Sequence, residues 1–333
     1  MKRLINLLVR LLLPAVAAPF VLSACSAWPT AVAPGVSAGA LEAMRPAARS
    51  RDLLYVSNWG GNVGVYRYWQ RRSAGKLVGF RFPLGECVDG AGSVYVSDFD
   101  AKQVVEFAHG GTKPTRTFDA APYKPYGCSV YSATGNVAVA AYWKAGGKLQ
   151  QGGVLVFPHG NGNPAVYTIP SIYNPRTCSY DGKGNLMVSG STKDNPPTTA
   201  FAVLKHGTSE FVDVSVVRPG SSWSWHAGVQ WDGAYWAVED GGTIFRYRLS
   251  GDEGIYRDAT VLSGSNGVVR QFWIANFSGN PKTQGTQVVV PVVKGSNDEI
   301  AYWKYPAGGN PIGYAADGQR QAYGVTVSLF DKR

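Results

Sequence analysis

The sequence predicts an all-β fold: a six-bladed β-propeller of four-stranded antiparallel blades, closed by the C-terminal strand. Three observations carry this. The first is composition. The 333 residues include 41 Gly, 20 Pro and 18 Tyr, and only 16% are charged. Helix interiors disfavour Gly and Pro, whereas Val, Tyr, Trp and Thr between Gly-rich turns read as short strands. With 45% apolar residues and little net charge per residue, the chain is not disordered, and an α/β nucleotide-binding enzyme is disfavoured. The second is an internal repeat from Asp52 onward. The third is spacing: six units over residues 52–330 are about 46 residues each, the length of a four-stranded blade.

Each unit has two halves. The first is a short strand, a Gly-bearing turn and a second strand with period-2 alternation. Gly85-Glu86-Cys87-Val88-Asp89-Gly90 leading into Val94-Tyr95-Val96-Ser97-Asp98 is the clearest copy. Tyr126-Gly127-Cys128, Arg176-Thr177-Cys178 and His226-Ala227-Gly228-Val229 begin three more. The second half is a third strand, a Gly-rich turn and a fourth strand. Val104-Val105-Glu106-Phe107-Ala108-His109-Gly110 matches Val154-Leu155-Val156-Phe157-Pro158-His159-Gly160, with further copies at 202–207 and 302–311. Complete units are expected to start near Leu84, Tyr126, Thr177, Ala227 and Val269. Before them, 53–56, 63–68 and 76–82 supply three strands without an innermost one. Tyr323-Gly324-Val325 matches the first-strand copies, so the C-terminal strand is expected to complete that sheet and close the ring. Seven blades is the alternative count, because the last two units are the least regular.

The N-terminus reads as an address rather than a fold element. Lys2, Arg3 and Arg10 precede an apolar run from Leu11 to Leu22 that is broken by Pro14 and Pro19. The run is short for a membrane span, which needs about 20 apolar residues, and fits a signal segment over 1–24. Leu22-Ser23-Ala24-Cys25 resembles the bacterial lipobox, which implies a lipid on Cys25 and anchorage at the cell envelope. Residues 26–51, rich in Ala, Pro, Ser and Gly, read as a flexible tether, so the folded domain is expected over 52–333. Removing the leader's three basic residues lowers the net charge from +10 to +7. The charges form no run, which gives no specific nucleic-acid signature.

Three histidines, His109, His159 and His206, occupy the same turn in different blades. That implies a turn role, since zinc needs its ligands about 2.0–2.1 Å from one ion. Cys87, Cys128 and Cys178 align with Val229 and Val325, a pattern of buried small apolar sites in which Cys is a free thiol. The alternative is an inter-blade disulfide, Cys87–Cys128 or Cys128–Cys178, which an exported location permits. The ends of the second strands carry a polar column, Asn58, Asp98, Ser189 and Asp240, with Glu239 beside it. Such residues ordinarily cap their own turns. With Glu86, the set Asn58, Glu86, Asp98 and Asp240 is also a candidate site for Ca²⁺ or another divalent cation.

Aromatics crowd the loops that open on one mouth of the channel. Tyr123, Tyr126, Tyr173, Trp223, Trp225, Tyr314 and Tyr323 are expected before or at innermost strands. Trp59, Phe99, Tyr142 and Trp143 follow second strands. The candidate ligand-binding residues are Trp59, Tyr126, Tyr142, Arg176, Trp225, His226 and Tyr323, a set suited to stacking a sugar ring or binding an anion. No nucleophile elbow, phosphate loop, HExxH or CxxC motif is present.

The Asp-Gly-x-Gly-x-Val-Tyr-Val-Ser-Asp and Val-x-x-Phe motifs resemble NHL-type repeats, shared with gluconolactonase-like and streptogramin-lyase-like propellers. The resemblance covers about five-sixths of the chain and implies the propeller fold, which hosts binding modules, hydrolases and lyases alike. Gluconolactonase-like enzymes hold a divalent ion with carboxylates and an Asn at the channel mouth. Here Tyr142 stands where a further acid would complete such a set. The expected function is a non-catalytic binding module at the cell envelope, monomeric, with a protein or glycan ligand. The alternatives are a metal-dependent lactonase or lyase and a purely structural repeat.

Overall fold

The computed structural model describes residues 51–265, 271–275, 286–294, 297–315 and 321–330. The expected leader, Cys25 and the tether through residue 50 lie outside the described residues, as does Val269.

Six blades form in chain order. Blade 1 joins β1 (Leu53–Asn58), β2 (Asn62–Arg67) and β3 (Arg72–Val78) to the C-terminal strand β25 (Ala322–Ser328) on its inner edge. Blade 2 is β4 (Pro83–Val88), β5 (Val94–Asp98), β6 (Gln103–Phe107) and β7 (Pro114–Asp119). Blade 3 is β8 (Lys124–Tyr131), β9 (Asn136–Ala145), β10 (Lys148–Phe157) and β11 (Ala165–Tyr167). Blade 4 is β12 (Asn174–Tyr180), β13 (Leu186–Ser191), β14 (Thr199–Leu204) and β15 (Phe211–Asp213). Next come β16 (Ser215–Val216) and blade 5, made of β17 (Gly228–Trp231), β18 (Trp236–Asp240), β19 (Thr243–Ser250) and β20 (Glu253–Val261). Blade 6 is β21 (Trp273–Ala275), β22 (Gln287–Lys294), β23 (Asn297–Lys304) and β24 (Gly313–Ala315). The closure expected from Tyr323-Gly324-Val325 is present: β25 pairs antiparallel with β1, with Val325 opposite Val56 and Ser328 opposite Leu53.

Alternation on each strand explains the ring. Successive side chains point to opposite faces, so each blade serves two neighbours. Leu53 and Tyr55 pack with Val94, Val96 and Phe107 of blade 2. Leu54 and Val56 pack instead with Val289, Ile300 and Tyr302 of blade 6. Four further clusters join the remaining adjacent blades. One apolar cluster fills each of six interfaces, so the fold leaves only short outer edges.

Two details differ from the sequence reading. The third strand of blade 1 runs over 72–78 rather than 76–82. Arg71 adopts a left-handed backbone (φ 54°) that turns the chain earlier, and the strand absorbs a bulge at Ala74, between the Tyr66–Ser73 and Val65–Gly75 pairs. Blade 5 also gains a fifth strand, because β16 pairs parallel with the outer strand β20 as the chain arrives from blade 4.

The innermost strands converge on the channel, and this corrects the reading of three free thiols. Cys87 of blade 2 and Cys128 of blade 3 are joined by a disulfide, with Cα atoms 5.6 Å apart. Cys178 remains a buried thiol; it reaches the Gly127 carbonyl at 3.9 Å, and burial pushes its pKa up to about 12.

Candidate functional site

The mouth is built from residues at the starts of innermost strands and the ends of second strands. All seven candidate ligand-binding residues belong to one chain of contacts there. Trp59, just after β1, packs on Tyr323 at 6.1 Å and on Phe82 at 5.4 Å between ring centroids. Phe82 meets Phe99 at 5.9 Å, and Phe99 meets Tyr126 and Tyr142 at 6.3 and 5.9 Å. Tyr126 and Tyr142 are stacked, 5.4 Å apart with planes 17° from parallel. Arg176 donates to the Tyr142 hydroxyl (3.2 Å) and the Tyr126 hydroxyl (2.8 Å). Its guanidinium also lies 4.8 Å from the Tyr126 ring and 4.7 Å from the Trp225 ring. Trp225 stacks on His226 at 5.3 Å. Tyr323 and Arg176, from blades 1 and 4 on opposite sides of the ring, interact electrostatically across the mouth.

Phe82 was not expected here, since it read as the end of a strand. Its signal was its place just ahead of an innermost strand, the level of Ser224 beside Trp225. Other expected aromatics lie elsewhere. Trp223 is buried among Phe201, Phe245 and Tyr247 in the interface of blades 4 and 5. Tyr314 is on β24, the outermost strand of blade 6. Tyr173 donates to the Leu149 carbonyl. Of the two remaining loop aromatics, Tyr123 and Trp143 pair with each other at 5.8 Å.

The polar groups around the belt have defined jobs. Lys124 pairs with Asp100 at 2.5 Å, and Arg218 pairs with Asp240 at 2.9 Å. Ser224 bridges His226 and Asp240: its Oγ lies 2.7 Å from His226 Nδ1 and donates to Asp240 Oδ1. With its one proton given to Asp240, Ser224 accepts from the Nδ1–H of a neutral His226. The order His–Ser–Asp is not that of a nucleophilic triad, in which His stands between the other two. Burial holds the His226 pKa below its usual value, with the Arg176 charge adding to the effect and Asp240 opposing it.

Three of the four candidate metal ligands, Asn58, Asp98 and Asp240, have separate partners. Asp98 accepts from the backbone N–H of Phe82 (2.8 Å) and Arg81 (3.1 Å). Asn58 Oδ1 accepts from Gly60 N–H, and its amide donates to Asn62. Asp240 is held by Arg218 and Ser224. Among the described residues no three His, Cys, Asp or Glu side chains form a group able to hold a metal ion. Ser189 sits one register before the Asn58–Asp98–Asp240 level, aligned with Ser57, Ser97 and Glu239, and bonds the Ala227 carbonyl of blade 5 at 2.9 Å.

Glu86 and Glu239 enter the channel instead, from blades 2 and 5 on opposite sides of the ring. They line a cavity of about 210 Å³ together with Gln230 and Gln271. Both are fully buried, and burial pushes both carboxyls up to about 8. Glu239 accepts from Gly242 N–H at 2.8 Å. Among the described residues neither oxygen of Glu86 has a hydrogen-bond donor. The nearby Ser57 hydroxyl moderates the shift but directs its own proton to the Leu84 carbonyl. His109, His159 and His206 lie in third-to-fourth strand turns. His109 contacts Ser328 and the Arg51 carbonyl, His159 the Thr134 carbonyl, and His206 the Tyr131 ring.

No protein-family model matches the chain, and no curated protein matches it in sequence. Solved structures share its fold. A chain in a nidogen/laminin complex superposes with a TM-score of 0.59 at 12% identity, covering 84% of this chain and 99% of that one. A protein of unknown function from Bacteroides caccae gives 0.58 at 11% identity, with the same coverage. A functionally unknown protein from Desulfotomaculum acetoxidans gives 0.53 at 8%, again over 84% and 99%. At these identities the likeness is one of fold.

Proposed function

We propose that this chain is an NHL-type propeller, exported and anchored at the cell envelope through a lipid on Cys25, that binds a ligand without catalysis at its aromatic mouth. One observation carries the binding reading: a continuous belt of rings surrounds Arg176 at one end of the channel, and two of its members, Trp59 and Trp225, are about half exposed (51% and 49%). Tryptophans that are apolar on one side and wet on the other are typical of recognition surfaces. A purely structural repeat gives no reason to leave both rings in water. The lactonase or lyase alternative needs Asn58, Glu86, Asp98 and Asp240 around one ion, and the separate partners of Asn58, Asp98 and Asp240 give it no support.

Export is supported independently by the Cys87–Cys128 disulfide, since such bonds persist in oxidising compartments and are rare in the cytosol. Mass spectrometry of the mature N-terminus tests the anchor: a diacylated or triacylated Cys25 is expected, and an unmodified N-terminus at another residue overturns it. Binding is tested with the full-length chain on arrays of envelope glycans and on extracted envelope proteins. Trp225→Ala and Tyr126→Ala are expected to abolish the dominant interaction, and unchanged binding by both removes the mouth from the account.

A further inference from the structure

The charge at the centre of the mouth names the class of ligand. Arg176 is 92% buried, being 8% exposed, and a guanidinium stays charged in proteins. Buried charges are ordinarily paired with an opposite charge. Among the described residues Arg176 has no carboxylate partner; its contacts are two tyrosine hydroxyls and two rings. Asp240, the acid closest in register, is held by Arg218 and Ser224, and Asp100 is held by Lys124. His226 stays neutral near pH 7, so it adds no competing cation.

The donors point the same way. A guanidinium has five N–H groups, and Arg176 gives one each to Tyr142 and Tyr126. Tyr142 accepts in that bond and so keeps its own proton for an acceptor. The site thus combines a positive charge without a counter-charge among the described residues, spare N–H donors and a phenol O–H. Beside them stands Trp225, about half exposed, with its ring in contact with the same guanidinium. One guanidinium suits a singly charged carboxylate held by two parallel hydrogen bonds. A flat indole suits the C–H face of a pyranose.

We propose that the mouth binds a carboxylate-bearing sugar ring, with the carboxylate on Arg176 and Tyr142 and the ring stacked on Trp225. This rests on the mouth being the binding site, and its test separates the two.

The full-length chain is titrated with trigalacturonate, a trimannuronate and a triglucuronate, and with neutral galactose and mannose trimers, while tryptophan fluorescence is followed. At least one acidic trimer is expected to bind, and more weakly as salt is raised. Arg176→Met is expected to weaken that binding about 10- to 100-fold, as for loss of a charge-assisted hydrogen bond. Tyr142→Phe, which keeps the ring and the stacking, is expected to weaken it several-fold and guards against Arg176→Met failing to fold. Trp225→Ala is expected to weaken acidic and neutral trimers alike. If Trp225→Ala abolishes binding while Arg176→Met and Tyr142→Phe leave the preference for acidic trimers unchanged, the carboxylate assignment falls and the mouth stands. If sugars bind and none of the three variants matters, both fall. If no acidic trimer binds, the sugar-acid proposal is overturned.

Discussion

The Glu86 carboxyl fills the space that a side chain on Gly324 would need: a Cβ there would collide with Glu86 Oε2 and with the Leu84 carbonyl, and would stand 2.6 Å from Gln271 Oε1. The same approach recurs around the channel, where a Cβ on Gly127 would stand 2.6 Å from the Arg176 carbonyl of the next blade. These glycines let neighbouring innermost strands touch backbone to backbone. Gly324→Ala is therefore expected to destabilise the ring by about 3 kcal/mol, at the upper end for overpacking, because the obstacle includes backbone. Gly182→Ala, with open space around it, is the neutral control. Urea unfolding measures both, and a loss below about 1 kcal/mol for Gly324→Ala contradicts the close-packed channel.

Glu86 also sets a pH dependence. Its folded pKa of about 8 lies above the unfolded value of 4.5, so the folded state holds the proton more tightly. The associated stability is fully present below pH 4.5 and is lost as pH rises through 8. The loss is on the order of 3 kcal/mol by pH 7, at about 1.4 kcal/mol per unit. Glu239 acts in the same direction over the same window. Glu86→Gln removes one of the two titrations. Melting temperatures at pH 5, 7 and 9 are expected to fall less steeply for that variant than for the parent chain, and equal slopes reject the assignment.

Reduction of the Cys87–Cys128 bond, which spans 41 residues, is expected to lower stability by about 4 kcal/mol on the chain-entropy account. The bond ties blade 2 to blade 3 beside the channel, so the loss appears as a lower urea midpoint with reductant. Cys178, buried with its pKa at about 12, should not react with a thiol reagent until the chain unfolds. Native-state labelling at Cys178, read by peptide mapping, contradicts its burial.

The fold was legible because its signals are local and repeated. Val94-Tyr95-Val96-Ser97-Asp98 alternates along one strand, and Val325 could be matched to Cys128 without knowing where either lies. What depends on distances between blades was not legible. A position that alternates between Cys and Val reads as burial alone, and only convergence of the innermost strands shows that Cys87 meets Cys128 while Cys178 meets none. The candidate mouth was legible in its residue types, Trp59, Tyr126, Tyr142, Arg176, Trp225, His226 and Tyr323, because loop position assigns them to one end of the ring. Its charge balance was not. Asp240 is near Arg176 in register, and only the structure shows that Arg218 and Ser224 engage it. Phe82 was hidden because a third strand read over 76–82 puts it at a strand end rather than in the mouth.

Asp98 separates the capping role from the metal role of the second-strand acids. Its carboxylate accepts from the N–H groups of Phe82 and Arg81, fixing the segment that carries Phe82 into the aromatic belt beside Trp59 and Phe99. Burial raises its pKa while those backbone N–H groups pull it down, which marks a carboxyl held by the chain itself. Asp98→Ala leaves the part-buried N–H donors of Arg81 and Phe82 without their acceptor and is expected to cost about 1–2 kcal/mol. Because Phe82 then loses its tether, the fluorescence of Trp59 should shift, and a Trp59→Phe background identifies the source of that shift. Under the capping role the stability loss is the same with excess Ca²⁺ and with a chelator, since the lost bonds are to backbone. A loss that appears only when Ca²⁺ is present would instead make Asp98 a ligand and reverse the assignment.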